Sequence, residues 1–180
     1  MDYNKQVRDA AQEFDDTKSV LLGIIGENPG IWYREIMRMT GMSNGTLAHH
    51  LRVLEEAGRI KVQRLDHLGK TRYFSVAVSD EETGIIGCAK NSTAKEMMLL
   101  MLDSEFCTFN ELVEGVGKSP STVSWHLKRL VGANVVRVRN GEISLYSLAD
   151  RSRVLDVLSK YKESLLDAAA NNYADLIDEL

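Results

Sequence analysis

The stretch Thr122-Val123-Ser124-Trp125-His126-Leu127-Lys128-Arg129-Leu130 has a near-copy 76 positions earlier, Thr46-Leu47-Ala48-His49-His50-Leu51-Arg52-Val53-Leu54. A helix turns about 100° per residue, so Leu47, Leu51 and Leu54 fall on one face. The opposite face of that helix carries Gly45, Ala48, His49 and Arg52, and in the second copy it carries Ser121, Ser124, Trp125 and Lys128. Small residues there allow a close backbone approach. Hydroxyl, imidazole and basic groups are the types that reach base edges and phosphates in a major groove.

The flanks repeat as well. Gly41 and Gly117 suit a left-handed turn between two helices, and Ser43 and Ser119 can cap the helix that follows, the second with Pro120 at its first position. The preceding helix is expected over Tyr33–Met39, with Ile36 and Met39 inward, and over Phe109–Gly115 in the second copy. Before it, Thr17 or Ser19 caps a helix bearing Val20, Leu21, Ile24 and Ile25, which Asn28-Pro29-Gly30 stops. Ala94–Asp103 is its counterpart. After the quoted stretch, Ile60–Arg64 and Arg72–Val76 alternate apolar and polar residues, giving a hairpin with Asp66–Thr71 at its tip. Val135–Val138 and Glu142–Tyr146 form the second hairpin, joined by Asn140-Gly141 as a two-residue turn. At the one offset Leu22 meets Met98, Ile36 meets Leu112, Leu51 meets Leu127, Leu54 meets Leu130 and Ile60 meets Val136, which marks an internal duplication.

The fold class read from this pattern is mainly α with small β-hairpin wings (α+β): two tandem winged helix-turn-helix domains plus terminal helices. The expected division is an amphipathic helix or arm at 1–16, domain one at 17–78, a linker at 79–93, domain two at 94–149, and a C-terminal helix at 150–180. The arm spaces Tyr3, Val7, Ala10, Ala11 and Phe14 at helical intervals, and the C-terminal stretch carries a stripe through Val154, Leu158, Tyr161, Leu165, Ala169, Leu176 and Leu180. A stripe that neither domain covers calls for a partner, and a second copy of the chain is the expected one.

Net charge is −4, but it is unevenly placed. Residues 19–78 carry +3 and residues 90–148 carry +1, while 1–18, 79–89 and 149–180 carry −2, −3 and −3. Between Glu114 and Glu142 there is no acidic residue but there are Lys118, Lys128, Arg129, Arg137 and Arg139, the footprint of a phosphate-binding face. The longest apolar runs are far too short for a membrane span, and no basic-then-apolar leader opens the chain. Cys88 and Cys107 stand alone and read as reduced thiols, and His50 and His126 as packing histidines rather than ligands. There is no Gly-rich phosphate loop, no nucleophile beside a base and no carboxylate pair on a cleft, so neither catalysis nor a metal or other cofactor is expected.

The expected partner is double-stranded DNA. The candidate contacts in the first domain are Ser43, Asn44, Thr46, His49 and Arg52 on the helix, and Arg64, Lys70 and Arg72 on the wing beside His67. In the second they are Ser119, Ser121, Thr122, Ser124, Trp125, Lys128 and Arg129 on the helix, and Arg137 and Arg139 on the wing. If a single domain suffices, the first is expected to be the one retained, because its wing is longer and more basic at the tip.

These motifs resemble the tandem winged helix-turn-helix transcriptional regulators of archaea, with ArsR- or MarR-like modules. The residues that carry the likeness are Ser119 to Leu130 and Leu51-Arg52-Val53-Leu54-Glu55-Glu56-Ala57-Gly58-Arg59-Ile60. The resemblance covers about residues 19–148 and implies sequence-specific DNA binding in transcription regulation, as a cytoplasmic, nucleoid-associated homodimer. A further regulatory or transcription protein is another candidate partner, and no membrane is. The metal ligands of ArsR-type sensors do not carry over, because their Cys/His pattern is absent. The chain departs from the pattern at Asn134, which stands where the first domain has Gly58, and at Gly132, inside the second reading helix. The other reading is a structural partner similar to the condensin-associated ScpB type. The acid-free stretch 115–141 favours DNA over it.

Overall fold

In the computed structural model the described residues are 16–65, 70–162 and 165. The chain divides into two compact units on either side of the Val78–Ser79 bond. The expected helix at 1–14, the wing tip at His67, and most of the stripe beyond Lys162 lie outside the described residues.

Unit one opens with a helix, α1, already formed at residue 16 and running to 27. Thr17 and Ser19 therefore sit inside it and cannot be its caps. Asn28 ends α1 by folding back on Ile24, whose carbonyl accepts from both its backbone and side-chain nitrogens at 3.0 Å. Gly30 follows in the left-handed region (φ 75°), where a side chain would be strained. Next come β1 (Ile31–Trp32), α2 (Tyr33–Thr40), α3 (Asn44–Glu56), β2 (Ile60–Leu65) and β3 (Lys70–Ser75). The strands form one antiparallel sheet in the order β1-β3-β2, with Ile31 opposite Tyr73 and Val62 opposite the same residue from the other side. The core gathers Leu21, Ile25, Ile36, Leu47, Leu51, Leu54 and Ile60. Met39, expected inward, is exposed. On a turn of 3.6 residues the face set by Ile36 passes through Tyr33, Met37 and Thr40, and Met37 is the methionine that packs on the core.

Unit two has α4 (Asp80–Ala89), α5 (Ser92–Asp103), β4 (Cys107–Thr108), α6 (Phe109–Val116), α7 (Pro120–Gly132), β5 (Val136–Arg139), β6 (Leu145–Leu148) and α8 (Arg151–Lys160). Its sheet has the same order as the first, β4-β6-β5. The stretch 79–93, read above as a linker, is instead mostly helix. Ser79 and Glu82 form a reciprocal capping box, three carboxylates favour the first turn, and Ile85, Ile86 and Ala89 are buried. The acidic run here marks a helix start rather than a connector.

The second hairpin also differs from its expected register. Arg139 pairs with Leu145 and Val136 with Leu148, so the loop is Asn140–Ser144 rather than a two-residue turn at Asn140-Gly141. The apolar pattern decides this. Buried Leu148 lies opposite buried Val136, whereas the tighter turn would have put exposed Ile143 into the ladder and left Leu148 beyond it.

Among the described residues the C-terminal stripe is partly covered by the chain itself. α8 packs on α4 and α5, burying Val154 and Val157. Arg153 pairs with Glu81 at 2.9 Å and Lys160 with Glu82 at 3.1 Å. The Arg151 guanidinium donates to the carbonyls of Met101, Leu102 and Ser104 at the end of α5. These are orphan acceptors of a helix C-terminus, and a cation suits that end of the dipole.

Candidate nucleic-acid interface

In each unit two helices meet at a glycine. α2 ends at Gly41 (φ 65°) and α6 at Gly117 (φ 61°), both left-handed, as the turn requires. Two residues later a serine caps the next helix. Ser43 Oγ accepts from the Thr46 backbone N–H at 3.3 Å and shares a hydrogen bond with its hydroxyl at 2.8 Å. Ser119 does the same with Thr122 at 3.3 and 2.9 Å and reaches Ser121 Oγ at 3.0 Å. A hydroxyl carries one proton. Each cluster uses one proton fewer than it has, so each retains one to give to a phosphate at an exposed helix N-terminus.

The far ends match too. Gly58 N–H bonds Glu55 O and Arg59 N–H bonds Leu54 O, with Gly58 left-handed at φ 63°. Asn134 N–H bonds Val131 O and Val135 N–H bonds Leu130 O, with Asn134 left-handed at φ 56°. Asn tolerates that region through its short polar side chain, so α7 closes as α3 does, and Gly132 simply occupies its last turn.

Between these ends, Leu47, Leu51 and Leu54 anchor α3, and Val123, Leu127 and Leu130 anchor α7. Ala48, His49 and Arg52 are exposed on α3, as are Ser121, Ser124, Trp125 and Lys128 on α7. His50 and His126 are buried behind them. Burial holds both imidazoles below the usual histidine range, helped by His49 and Lys18 at the first and by Arg129 at the second. At neutral pH they are uncharged and contribute packing rather than positive charge. The outward ring rests on this buried one in both units, His49 on His50 at 5.7 Å and Trp125 on His126 at 4.7 Å between centroids. Arg129 lies across Trp125, its guanidinium carbon 4.6 Å from the ring centroid.

Several first-unit candidates are engaged within the protein. Asn44 accepts from the Tyr33 hydroxyl at Oδ1, 2.7 Å away, and at its carbonyl, 2.9 Å away, so only its amide nitrogen suits a phosphate. Arg52 lies 3.9 Å from Glu56, and Arg64 bonds Glu55 at 2.7 Å. Lys70 is exposed, 5.7 Å from the Trp32 ring. Arg72 is not a surface contact. It is only 5% exposed, opposite Trp32 in the β1–β3 ladder, with its guanidinium 4.2 Å from the indole centroid. Charge alone points a wing arginine outward, but Arg72 is buried on the sheet face opposite Tyr73 and the core, where the Trp32 indole beside it takes its guanidinium.

In the second unit Arg137 and Arg139 project two residues apart from β5 and are exposed. Where α3 has Glu55 and Glu56, α7 has Val131 and Gly132, so no carboxylate of its own helix draws off its cations. Sequence reasoning passed over Glu55 and Glu56 as functional residues, although Glu56 lies four residues after Arg52 and that spacing is a readable pairing signal. Trp32 was missed because the short strand carrying it has only two residues.

Among the described residues, no group of three or more His, Cys, Asp or Glu is placed to hold a metal ion, and no helix is long and apolar enough to cross a membrane.

Residues 91–138 match the family described as bacterial regulatory protein, arsR family, and residues 14–61 match winged helix-turn-helix DNA-binding. Neither is a family of enzymes. The uncharacterized HTH-type transcriptional regulator MJ1398 of Methanocaldococcus jannaschii is 25% identical over 123 residues, which is 68% of this chain and 30% of that one. The chain thus spans under a third of the relative it matches. Among solved structures, the transcriptional repressor BigR of Xylella fastidiosa aligns at 17% identity and a TM-score of 0.41 over 46% of this chain and 85% of its own. HlyU of Vibrio cholerae aligns at 18% identity and 0.40, over 46% and 94%.

Proposed function

We propose that this tandem of two winged helix-turn-helix domains is a transcriptional regulator that binds double-stranded DNA by sequence, with α3 and α7 in the major groove and the wings on backbone or minor groove. The observation that carries the reading is the repeated, outward-facing helix. In both units it begins at a serine cap with a hydroxyl proton to spare, and each unit holds a match to a regulatory or DNA-binding helix-turn-helix family. Phosphate contacts fix register and the exposed side chains of α3 and α7 read bases. The cytoplasm, at the nucleoid, is the compartment this function needs.

Self-association belongs to the same reading, since an operator with two-fold symmetry is read by a two-fold dimer. On α8 the Val154 and Val157 face is already buried, so a second copy would meet Leu155, which is 55% exposed, and the residues after it. Retention of random duplex DNA by the full chain at rising salt tests DNA binding. A steep log-log salt slope supports it, and no retention at low salt refutes it. Light scattering on the parent chain and on Leu155→Glu tests self-association, which a monomeric parent would exclude.

A further inference from the structure

The duplication keeps the scaffold and changes the reading face. Across the offset of 76 the caps, the left-handed closures, the buried leucines and the buried histidine recur. The outward positions do not: Ala48, His49 and Arg52 face Ser124, Trp125 and Lys128 across the offset, and Val53 becomes Arg129. His49 and Arg52 are two side chains with hydrogen-bond donors, three residues apart on one exposed face. Trp125 is a large apolar plate, still 48% exposed although His126 and Arg129 hold its ring. A ring held from two sides has little rotamer freedom left to lose on binding.

From this we propose that a single chain reads two dissimilar half-sites, and that Trp125 is the residue that makes the second one different. The inference rests on the DNA-binding reading above. Arg52 and His49 are donors for the O6 and N7 acceptors that a guanine shows in the major groove. Trp125 offers apolar surface, and the one apolar group on the floor of that groove is the thymine methyl. Ser121, Ser124 and Lys128 around it supply short donors that accept several bases or a phosphate. The first domain thus reads a purine edge by hydrogen bonds, and the second reads a thymine-bearing step by contact. Arg129 and His126 act as positioning residues for the indole.

Selection of bound duplexes from random DNA, with the intact full chain and with Trp125→His, tests this. The parent is expected to yield two different sub-motifs, one of them thymine-rich. Trp125→His, which installs the residue of the first domain, should change that sub-motif and leave the other intact. Replacing thymine by uracil in the selected duplex removes only the methyl. It should weaken the parent about fourfold at the thymine-rich half, the factor that burying one methyl-sized group provides. In Trp125→Ala the same replacement should change nothing. Two identical sub-motifs, or a parent indifferent to uracil, would overturn the inference while leaving DNA binding in place. A chain that retains no duplex at all removes both.

Discussion

Replacing Arg72 separates a residue that builds the first unit from one that touches DNA. Its guanidinium is buried, 4.2 Å from the Trp32 ring centroid. In Arg72→Ala two buried methylenes are lost, worth about 1.6 kcal/mol. The desolvated cation–π stack adds about 2 kcal/mol. Relief of the buried charge's desolvation subtracts from this, which leaves roughly 2–3 kcal/mol. For a unit of this size that is a fall of roughly 10–20 °C in Tm. Arg72→Met keeps the buried stem, so a smaller loss than in Arg72→Ala is expected, about 1 kcal/mol and roughly 5 °C. The two tryptophans of the chain divide between the units. In a Trp125→Phe background, fluorescence therefore follows Trp32 and the first unit alone. Both variants should melt earlier in that signal, with Arg72→Ala the lower. If Arg72→Ala melts with its parent while duplex retention falls at every salt concentration, Arg72 faces phosphate and the packing argument is wrong.

Three further outcomes follow from the same geometry. Glu55→Ala removes the carboxylate that Arg64 bonds at 2.7 Å, so duplex retention should rise and the log-log salt slope steepen by about one; an unchanged slope means Arg64 does not face phosphate. Burial lowers the His50 and His126 pKa values, so on acidification the unfolded chain takes up protons before the folded one. Stability from these groups is complete above ~6.5 and is lost as pH falls below it. Melting between pH 7.5 and 5.5 should show the loss, and His126→Gln should flatten it in the second unit alone, failing which His126 is not its source. At the closing turns the signs are opposite: Asn134→Gly should stabilise by about 0.5 kcal/mol and Gly58→Ala destabilise by about 1 kcal/mol, both read by denaturant titration. Equal shifts of one sign would mean that backbone strain does not govern these positions.

The helices and their order were legible because the core positions repeat at one offset and at helical spacing. Leu51 and Leu127, or Leu54 and Leu130, could not be polar without losing the core. The caps were legible for the same local reason, since Ser43 and Ser119 bond within three residues of themselves. What failed depends on partners distant in sequence. Arg72 is buried because Trp32 lies beside it on the neighbouring strand, on the sheet face away from Tyr73, and the second hairpin takes its register from Leu148 meeting Val136 rather than from the turn dipeptide. α4 was hidden because its acidic first turn looks like a solvated connector until Ile85 and Ile86 find a core. At the candidate interface the residue types were legible on α7 and less so on α3, where carboxylates of the same unit engage Arg52 and Arg64. On the first wing Arg72 is buried and Arg64 is shared with Glu55, so the wing presents less positive charge than its composition suggests.

The packing of α8 on α4 and α5 sets limits on how this protein can be cut. A fragment spanning 94–149, the extent of the sequence repeat, would lose both flanking helices. It would bare the apolar surface under Val154 and Val157, strip the Arg151 side chain from the carbonyls at the end of α5, and remove Ile85 and Ile86 from the interior. Truncation at Asp150 would do half of this damage while seeming to remove only an appendage. A fragment meant to stand by itself must start no later than Ser79, whose hydroxyl caps α4, and must carry the chain through at least Leu165, which is itself buried. Point substitution on the outer side of α8 is the cleaner instrument for any question about partners, because it leaves the inner side in place.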